Sequence, residues 1–294
     1  MKIGFVGLGV MGGPIAGHMV AAGHEVVGFN RSRDKAQTWA GEHDAGIAES
    51  AAAACAGRDL VVLCVGTDQD VRDLVAEIGP VMGRGAAIVD HTTTSAVLAR
   101  EMAALAKAAG WAFVDAPVSG GEAGAQKGQL SIMVGGEADA VSFAEPVMRC
   151  YAKAIRHMGG PGAGQLTKMV NQICIAGVVQ GLAEAVGFAE RSGLDADLVY
   201  QAISQGAAQS WQMDNRWASM CRGEFDFGFA VDWMRKDLGL VLAEARANGA
   251  RLEVTALVDQ FYAEVQEMGG RRWDTSSLAA RLQAPKRRAA SGAK

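Results

Sequence analysis

The sequence predicts an α/β fold: an N-terminal domain on a mainly parallel sheet, followed by an all-helical C-terminal domain. Three observations carry this. Short, nearly continuous apolar β-type runs alternate with amphipathic segments through the first half of the 294-residue chain. A glycine-rich loop separates the first run from the first amphipathic segment. Beyond Gly159-Gly160-Pro161-Gly162 every periodic segment reads as helix. Strands that alternate with helices and are apolar on both faces belong to parallel sheets covered on each side.

Taken in order, the strands fall at residues 2–6, 25–29, 60–65, 86–90, 112–115 and 131–134. The stretches between them, such as 13–22 and 95–109, are rich in Ala, Leu and Met and read as helices. Glycine and proline at 159–162 stop regular structure. Residues 165–191 then form an unbroken run of helix formers, about 40 Å at 1.5 Å per residue, the spine of a second domain. Segments 196–204, 231–248 and 253–268 follow with apolar spacing of three and four. The expected domains are 1–162 and 163–294. The tail at 284–294, basic and rich in Ala, Gly and Ser, is expected to be disordered.

Composition narrows the function classes. Half of the residues are hydrophobic and 20% are charged, the balance of a soluble globular chain. A net charge of −4 gives no polyanion bias, so nucleic acid is not expected as a partner. No run of about 20 apolar residues is free of charge, so no membrane span is expected. The start runs straight into a strand, and no apolar stretch with a cleavage site precedes it. Cys55, Cys64, Cys150, Cys174 and Cys221 are never paired as CxxC and read as small buried hydrophobes in a reducing compartment, so the cytoplasm is expected. The five histidines form no HxxxH or HExxH pair, and no metal is expected.

Gly7, Gly9 and Gly12, with Leu8, Val10 and Met11 between them, have the spacing GxGxxG. After a strand and before a helix this spacing is the dinucleotide fingerprint of the Rossmann fold. Gly7 permits the tight turn, Gly9 lets a pyrophosphate approach the backbone, and Gly12 packs helix on strand. Where an NAD site usually has Asp or Glu, after the second strand, this chain has Asn30-Arg31-Ser32. No carboxylate stands there to repel a 2′-phosphate, and Arg31 can pair with one. Ser32 could add a hydrogen bond, and Arg33 or Lys35 positive potential. NADP(H) is therefore the expected preference, with NAD(H) possible. Arg31 also reads as a solvated surface arginine.

Two further segments carry polar groups of the right kind. Asp115-Ala116-Pro117-Val118-Ser119-Gly120-Gly121 follows a strand, and its Ser119, Gly120 and Gly121 would offer a hydroxyl and unobstructed N–H groups to a carboxylate. The same residues suit an ordinary glycine-rich turn. Lys168 and Asn171 lie three apart at the start of the long helix and share a face among Leu166, Met169, Val170 and Ile173. Burial there would lower the lysine pKa towards values where it exchanges protons. Most helical lysines simply face solvent.

These segments, together with Lys236-Asp237-Leu238, occur in the order and spacing of the β-hydroxyacid dehydrogenases, which the chain resembles from Met1 to about Leu282. That family includes 3-hydroxyisobutyrate dehydrogenases, tartronate semialdehyde reductases and succinic/glyoxylic semialdehyde reductases. Asp274-Thr275-Ser276-Ser277 also looks like the family's closing segment. The resemblance implies an NAD(P)-dependent oxidoreductase acting on a small carboxylate-bearing hydroxy acid or semialdehyde. It implies Lys168 as the catalytic acid–base, Asn171 as a holder of the substrate oxygen, and Ser119, Gly120 and Gly121 as the carboxylate cradle. Phe229 is implied at the substrate. Val65, Thr93 and Lys236 join the glycine loop and Asn30, Arg31 and Ser32 at the cofactor, with Phe229 and Lys236 closing over it. A homodimer or homotetramer is also implied. Family members usually have Ser where Thr92 stands, and His91 is unusual too. Trp211, Gln212, Val231 and Trp233 join Phe229 as candidates for selecting the substrate side chain. Imine reductases share this architecture but typically carry Asp or Tyr in place of Lys168. The 6-phosphogluconate dehydrogenases have a much longer helical domain. A non-catalytic NADP(H)-binding relative would not require the lysine and the cradle, both of which are intact.

Overall fold

In the computed structural model, which describes residues 1–282, the chain begins with β1 (Lys2–Val6), α1 (Gly12–Ala21), β2 (Glu25–Phe29) and α2 (Arg33–His43). The expectation for the tail at 284–294 lies outside the described residues. The alternation continues through β3 (Gly46–Ile47), α3 (Ala51–Cys55), β4 (Leu60–Leu63), α4 (Asp68–Ile78), β5 (Ala87–Asp90), α5 (Ala96–Ala109) and β6 (Ala112–Asp115). Then come β7 (Val118–Ser119), α6 (Gly121–Gln126), β8 (Leu130–Gly135), α7 (Ala138–Met148) and β9 (Ala152–Gly159). The remainder is helical: α8 (Ala163–Arg191), α9 (Ala196–Ile203), α10 (Trp211–Arg222), α11 (Val231–Asn248), α12 (Glu253–Glu267) and a 3-10 segment at Thr275–Arg281. The chain divides into two compact units, Met1–Val170 and Asn171 onward, with the break inside α8.

The sheet of the first unit runs β3-β2-β1-β4-β5-β6-β8-β7, with β9 on β8. The first six strands pair in parallel, whereas β8 is antiparallel to both β6 and β7 and β9 is parallel to β8. Strand alternation then splits the core by face. Leu60 and Val62 of β4 pack with Ile3, Phe5, Ile15, Met19 and Tyr151 on one side. Val61 and Leu63 pack with Val6, Val71, Ile88, Leu98 and Trp111 on the other. Helix ends follow their capping chemistry: Thr67 and Asp70 close a capping box on α4, and Ser95 accepts from Leu98 N–H on α5.

Sequence periodicity did not anticipate β3, β7, β9 or α10. The first and second of these have two residues each, too few to show a period. β9 carries Lys153, Arg156 and His157 and leaves much of its length exposed, so it lacks an apolar run. α10 buries Met213, Trp217 and Met220 among Asp214, Asn215 and Arg216, a helical stripe hidden in polar sequence.

In the second unit α8 contributes Ala176, Val179, Leu182, Ala183 and Val186 to a core with Trp217, Met234, Leu238, Tyr262 and Leu278. By length and composition α8 is apolar enough to cross a bilayer, with a mean hydropathy of 1.5 over its most apolar stretch, although Lys168 and Glu184 keep its apolar run short of 20 charge-free residues. Half of that stretch is buried inside the protein, as in a core helix. The cysteine expectation needs correction. Only Cys55 is fully buried, and Cys174 and Cys221 are exposed; all five are free.

Candidate active site

Val6, Phe29, Leu63, Asp90 and Asp115 are mutual partners across the ladder, so β1, β2, β4, β5 and β6 end in register. Five loops therefore leave one carboxyl edge together: the glycine loop, Asn30–Ser32, Val65–Thr67, His91–Thr94 and the segment to Ser119. Ligands of open α/β sheets bind along this edge.

The glycine loop fits a dinucleotide pyrophosphate. Gly7 has φ +102°, and an added Cβ would collide with the Cys64 carbonyl oxygen. At Gly12 a Cβ would collide with the Gly7 carbonyl oxygen. Gly9 behaves oppositely, because a Cβ there meets nothing within 4 Å. The backbone face at Gly9 is thus open for a bulky anion. No side chain caps the N-terminus of α1 and no acid sits in its first turn, which leaves the positive end of the helix to a ligand. Leu8 is buried, Met11 is half-buried and Val10 is exposed. Asn30 braces the loop: its Oδ1 accepts from Leu8 N–H at 3.1 Å and its Nδ2 donates to Ser32 O at 3.1 Å.

The ribose end brings a correction. Local sequence showed no carboxylate after β2, but α4 delivers one: Asp70 Oδ1 lies 3.4 Å from Arg31 Nη1. Asp70 cannot swing away cheaply, since its Oδ2 accepts from Thr67 N–H at 3.0 Å and from Thr67 Oγ1–H at 2.8 Å. The Arg31 side chain keeps 89% of its surface exposed. Arg33 is committed elsewhere, in a two-pronged bridge to Glu49 at 2.8 Å. The Thr67-x-x-Asp70 capping box was visible in the sequence; its proximity to Arg31 was not.

The loop after β5 is pinned from several directions. Thr92 N–H donates to Asp90 Oδ1 at 2.9 Å, and Val65 N–H donates to Thr92 Oγ1 at 3.1 Å. Gln165, on the first turn of α8, donates through Nε2 to Thr92 O at 2.7 Å and accepts from Thr94 N–H at 3.1 Å. Thr93 sits half-buried within this framework. Asp115 holds the helix start: Gly162 N–H donates to its Oδ1 at 2.8 Å and Gln165 N–H to its Oδ2 at 2.9 Å. Burial raises the Asp115 pKa, and these backbone donors oppose the rise. Sequence reasoning assigned neither Asp115 nor Gln165 a role, although both stand inside the segments it quoted.

Ser119 ends β7 and is half-buried. Gly120 and Gly121 follow at φ +130° and +61°, and a Cβ on Gly121 would meet nothing within 4 Å. Left-handed backbone and an open face are what a carboxylate cradle needs. Lys168 is only 8% exposed, which sets it apart from a solvated helical lysine. Val170, counted among its apolar surroundings, is instead 59% exposed.

In the second unit, Asn171 Nδ2 donates to Gln172 Oε1 at 2.7 Å, and Gln172 Nε2 donates to Asp237 Oδ2 at 2.7 Å. Lys236 Nζ pairs with Asp237 Oδ1 at 3.1 Å and lies 5.9 Å from the centre of the Trp233 ring. A chain of polar contacts thus joins the two family motifs on α8 and α11. Phe229 N–H donates to Asp274 Oδ2 at 3.0 Å, and Arg216 Nε donates to Asp274 Oδ1 at 2.9 Å. Arg216 is itself flanked by Trp211 and Phe227, 5.2 and 4.9 Å from the ring centres. Trp211, Phe229 and Trp233 are all exposed at their surfaces and do not fill the core.

Known proteins resemble this chain over nearly its whole length. Residues 2–160 match the NAD-binding domain of 6-phosphogluconate dehydrogenase, and residues 162–282 match the NAD-binding family of NADP-dependent 3-hydroxyisobutyrate dehydrogenase. An uncharacterised oxidoreductase of Shewanella frigidimarina is 55% identical over 96% of this chain and 98% of its own. The 3-hydroxyisobutyrate dehydrogenase of Pseudomonas aeruginosa is 34% identical over 88% of this chain and 90% of its own. A solved structure of Mycobacterium tuberculosis 3-hydroxyisobutyrate dehydrogenase with L-serine superposes with a TM-score of 0.87 at 33% identity, covering 96% of this chain and 99% of that one.

Proposed function

The chain belongs to the β-hydroxyacid dehydrogenase family, an NAD(P)-dependent dehydrogenase, and we propose that it interconverts a small β-hydroxy acid and its semialdehyde. In this reading NADP(H) is preferred and Lys168 is the general acid–base. The observation that carries it is the burial of Lys168 on a helix whose first turn is tied, through Asp115 and Gln165, to the loops after β5 and β6.

When bound, the nicotinamide supplies or accepts the hydride. Gly7, Gly9 and Gly12 with the α1 N-terminus would hold its pyrophosphate, and Arg31 its 2′-phosphate. Ser119, Gly120 and Gly121 bind and orient the substrate carboxylate. As a carbonyl is reduced, negative charge develops on its oxygen; the Lys168 ammonium and the Asn171 amide stabilise it, and Lys168 delivers the proton. In oxidation Lys168 takes that proton from the hydroxyl. Lys168 also favours this reading over an imine reductase.

Steady-state kinetics with 3-hydroxyisobutyrate, 3-hydroxypropionate, glycerate, serine and 4-hydroxybutyrate, and with both cofactors, tests the proposal. Lys168→Ala is expected to lose roughly 10²–10⁴-fold in kcat while retaining NADPH affinity; unchanged turnover sinks the mechanism. Arg31→Ala should lower the preference for NADPH over NADH about tenfold, and Asp70→Asn should raise it by removing a charge that repels phosphate. Equal effects on both cofactors would refute the assignment of Arg31.

Cytoplasmic placement and a homodimer or homotetramer belong to the same reading. Five unpaired cysteines support the first. Support for the second is apolar surface left exposed on α8 and α9, at Val178, Phe188 and Leu198.

A further inference from the structure

His91 follows β5 and Ala116 follows β6, so each opens one of the loops just described. Their backbones are joined once, by Ala116 N–H donating to Asp90 O at 2.8 Å. The side chain of His91 joins them a second time. Its Nδ1 lies 2.6 Å from Ala116 O, and its Nε2 lies 2.8 Å from the Tyr151 hydroxyl. His91 is 3% exposed and Tyr151 fully buried, with the two rings edge to face at 5.5 Å.

The chemistry of these contacts fixes the tautomer. A carbonyl only accepts, so Nδ1 must carry the hydrogen. Nε2 is then an acceptor, and the Tyr151 hydroxyl must donate to it. With a neutral imidazole both ring nitrogens and the phenolic hydrogen are paired. A second ring proton could donate to the Tyr151 oxygen only if the phenolic hydrogen turned away from Nε2 and gave up its acceptor. Burial acts in the same direction and pushes the His91 pKa down to about 4.

We propose that His91 is a positioning residue: its Nδ1–H to Ala116 sets the register between the threonine loop 92–94 and the Ser119–Gly121 cradle, and the Tyr151 hydroxyl, donating to Nε2, holds the ring in place for this bond. The proposal rests on the reading of Ser119–Gly121 as the carboxylate cradle. Between Ala116 and Ser119 stand only Pro117 and Val118, so the Ala116 bond on one side and the β7–β8 pairing on the other together set where the cradle begins.

The test separates the two bonds of the imidazole. His91→Asn places an amide nitrogen near the Nδ1 position, and His91→Gln places one near Nε2. His91→Asn is expected to keep the substrate KM within about threefold of wild type. His91→Gln is expected to raise it about tenfold, with kcat and NADPH affinity little changed. A structural role alone would lower stability in both without dividing them by KM, so equal KM values in the two variants overturn the proposal. Nitrogen NMR of the wild-type imidazole gives a second readout that needs no variant. The Nδ1–H tautomer is expected from pH 6 to 8, and an Nε2–H tautomer overturns the proposal. Tyr151→Phe should keep the Nδ1–H tautomer, because the Ala116 carbonyl still only accepts; a switch to Nε2–H there overturns the proposal. Ser119→Ala, which should raise KM, judges the cradle separately: if KM stays unchanged the cradle reading fails, and the tautomer still decides His91.

Discussion

At the scale of the residue, spacing makes some groups legible and leaves others hidden. Lys168 and Asn171 stood out because a helix three residues on returns to the same face. The glycines stood out because only their backbone freedom explains GxGxxG after a strand. Asp70 and Gln165 did not, and His91 did only as a departure from the family pattern, because each acts on a partner between 25 and 73 residues away. No local pattern encodes such a meeting. His91 nevertheless makes a clear pH prediction. In the unfolded chain its pKa is the ordinary 6.5, and in the folded protein burial holds it at about 4. Between these values the unfolded state binds more protons, so stability falls as pH drops from 6.5 towards 4 and is flat above that window. The loss from this one group is on the order of 3 kcal/mol. Asp115 works the other way at the acid end, because burial raises its carboxyl and the folded state takes up that proton first. Denaturant titrations of wild type and His91→Asn at pH 5, 6 and 7.5 should show the difference. The variant is expected to be less stable at pH 7.5, having left Tyr151 without an acceptor, yet to lose much of the acid slope. An identical slope in both proteins would refute the assignment.

At the scale of the element, the turn between α10 and α11 shows how a rigid fixture is built from one buried charge. Asp274 is held by Arg216 and accepts from the N–H groups of Phe229 and Ser276. Thr275 N–H donates to Phe229 O at 3.0 Å, so the turn and the segment after α12 are bonded in both directions. Gly228 makes this approach feasible. Its φ is +70°, and an added Cβ would collide with Asp274 Oδ2. None of this was readable from the sequence, where Asp274 carried only its resemblance to a family segment and Gly228 no signal at all. Gly228→Ala is therefore expected to destabilise the protein by about 1–3 kcal/mol and to raise the substrate KM through Phe229. Gly239 lies inside α11 and a Cβ there meets nothing within 4 Å, so Gly239→Ala is the matched control. It is expected to be neutral or stabilising by up to ~1 kcal/mol. Equal denaturation midpoints for the two variants would show that the Asp274 clamp does not constrain the turn.

At the scale of the whole molecule, the alternation of apolar runs was enough to predict an α/β part followed by a helical part. The polar strand β9 and the polar helix α10 were not legible, because their apolar positions are too diluted to set a period, and the apolar run that marks β8 as a strand does not encode its antiparallel direction. What the second unit leaves uncovered leads to the last expectation. α8 exposes Cys174, Val178, Gly181 and Phe188 along one side of the helix, with Glu184 between the last two, and a Cβ on Gly177 or Gly181 would meet nothing within 4 Å. Phe188 is 70% exposed and Leu198 of α9 63%. Isolated exposed apolar residues are ordinary, but a row of them along much of one helix, with Leu198 exposed on the next, is costly in water. A second copy offering the same stripe would cover it by twofold symmetry. Light scattering on the purified chain is expected to give two or four times the 30.6 kDa chain mass. Phe188→Arg, which places a charge at the C-terminal end of the stripe, is expected to shift that mass towards the monomer while the far-ultraviolet dichroism stays helical. A wild-type monomer at micromolar concentration would remove the homo-oligomer from the proposed function, and an unchanged mass in the variant would move the interface off this face.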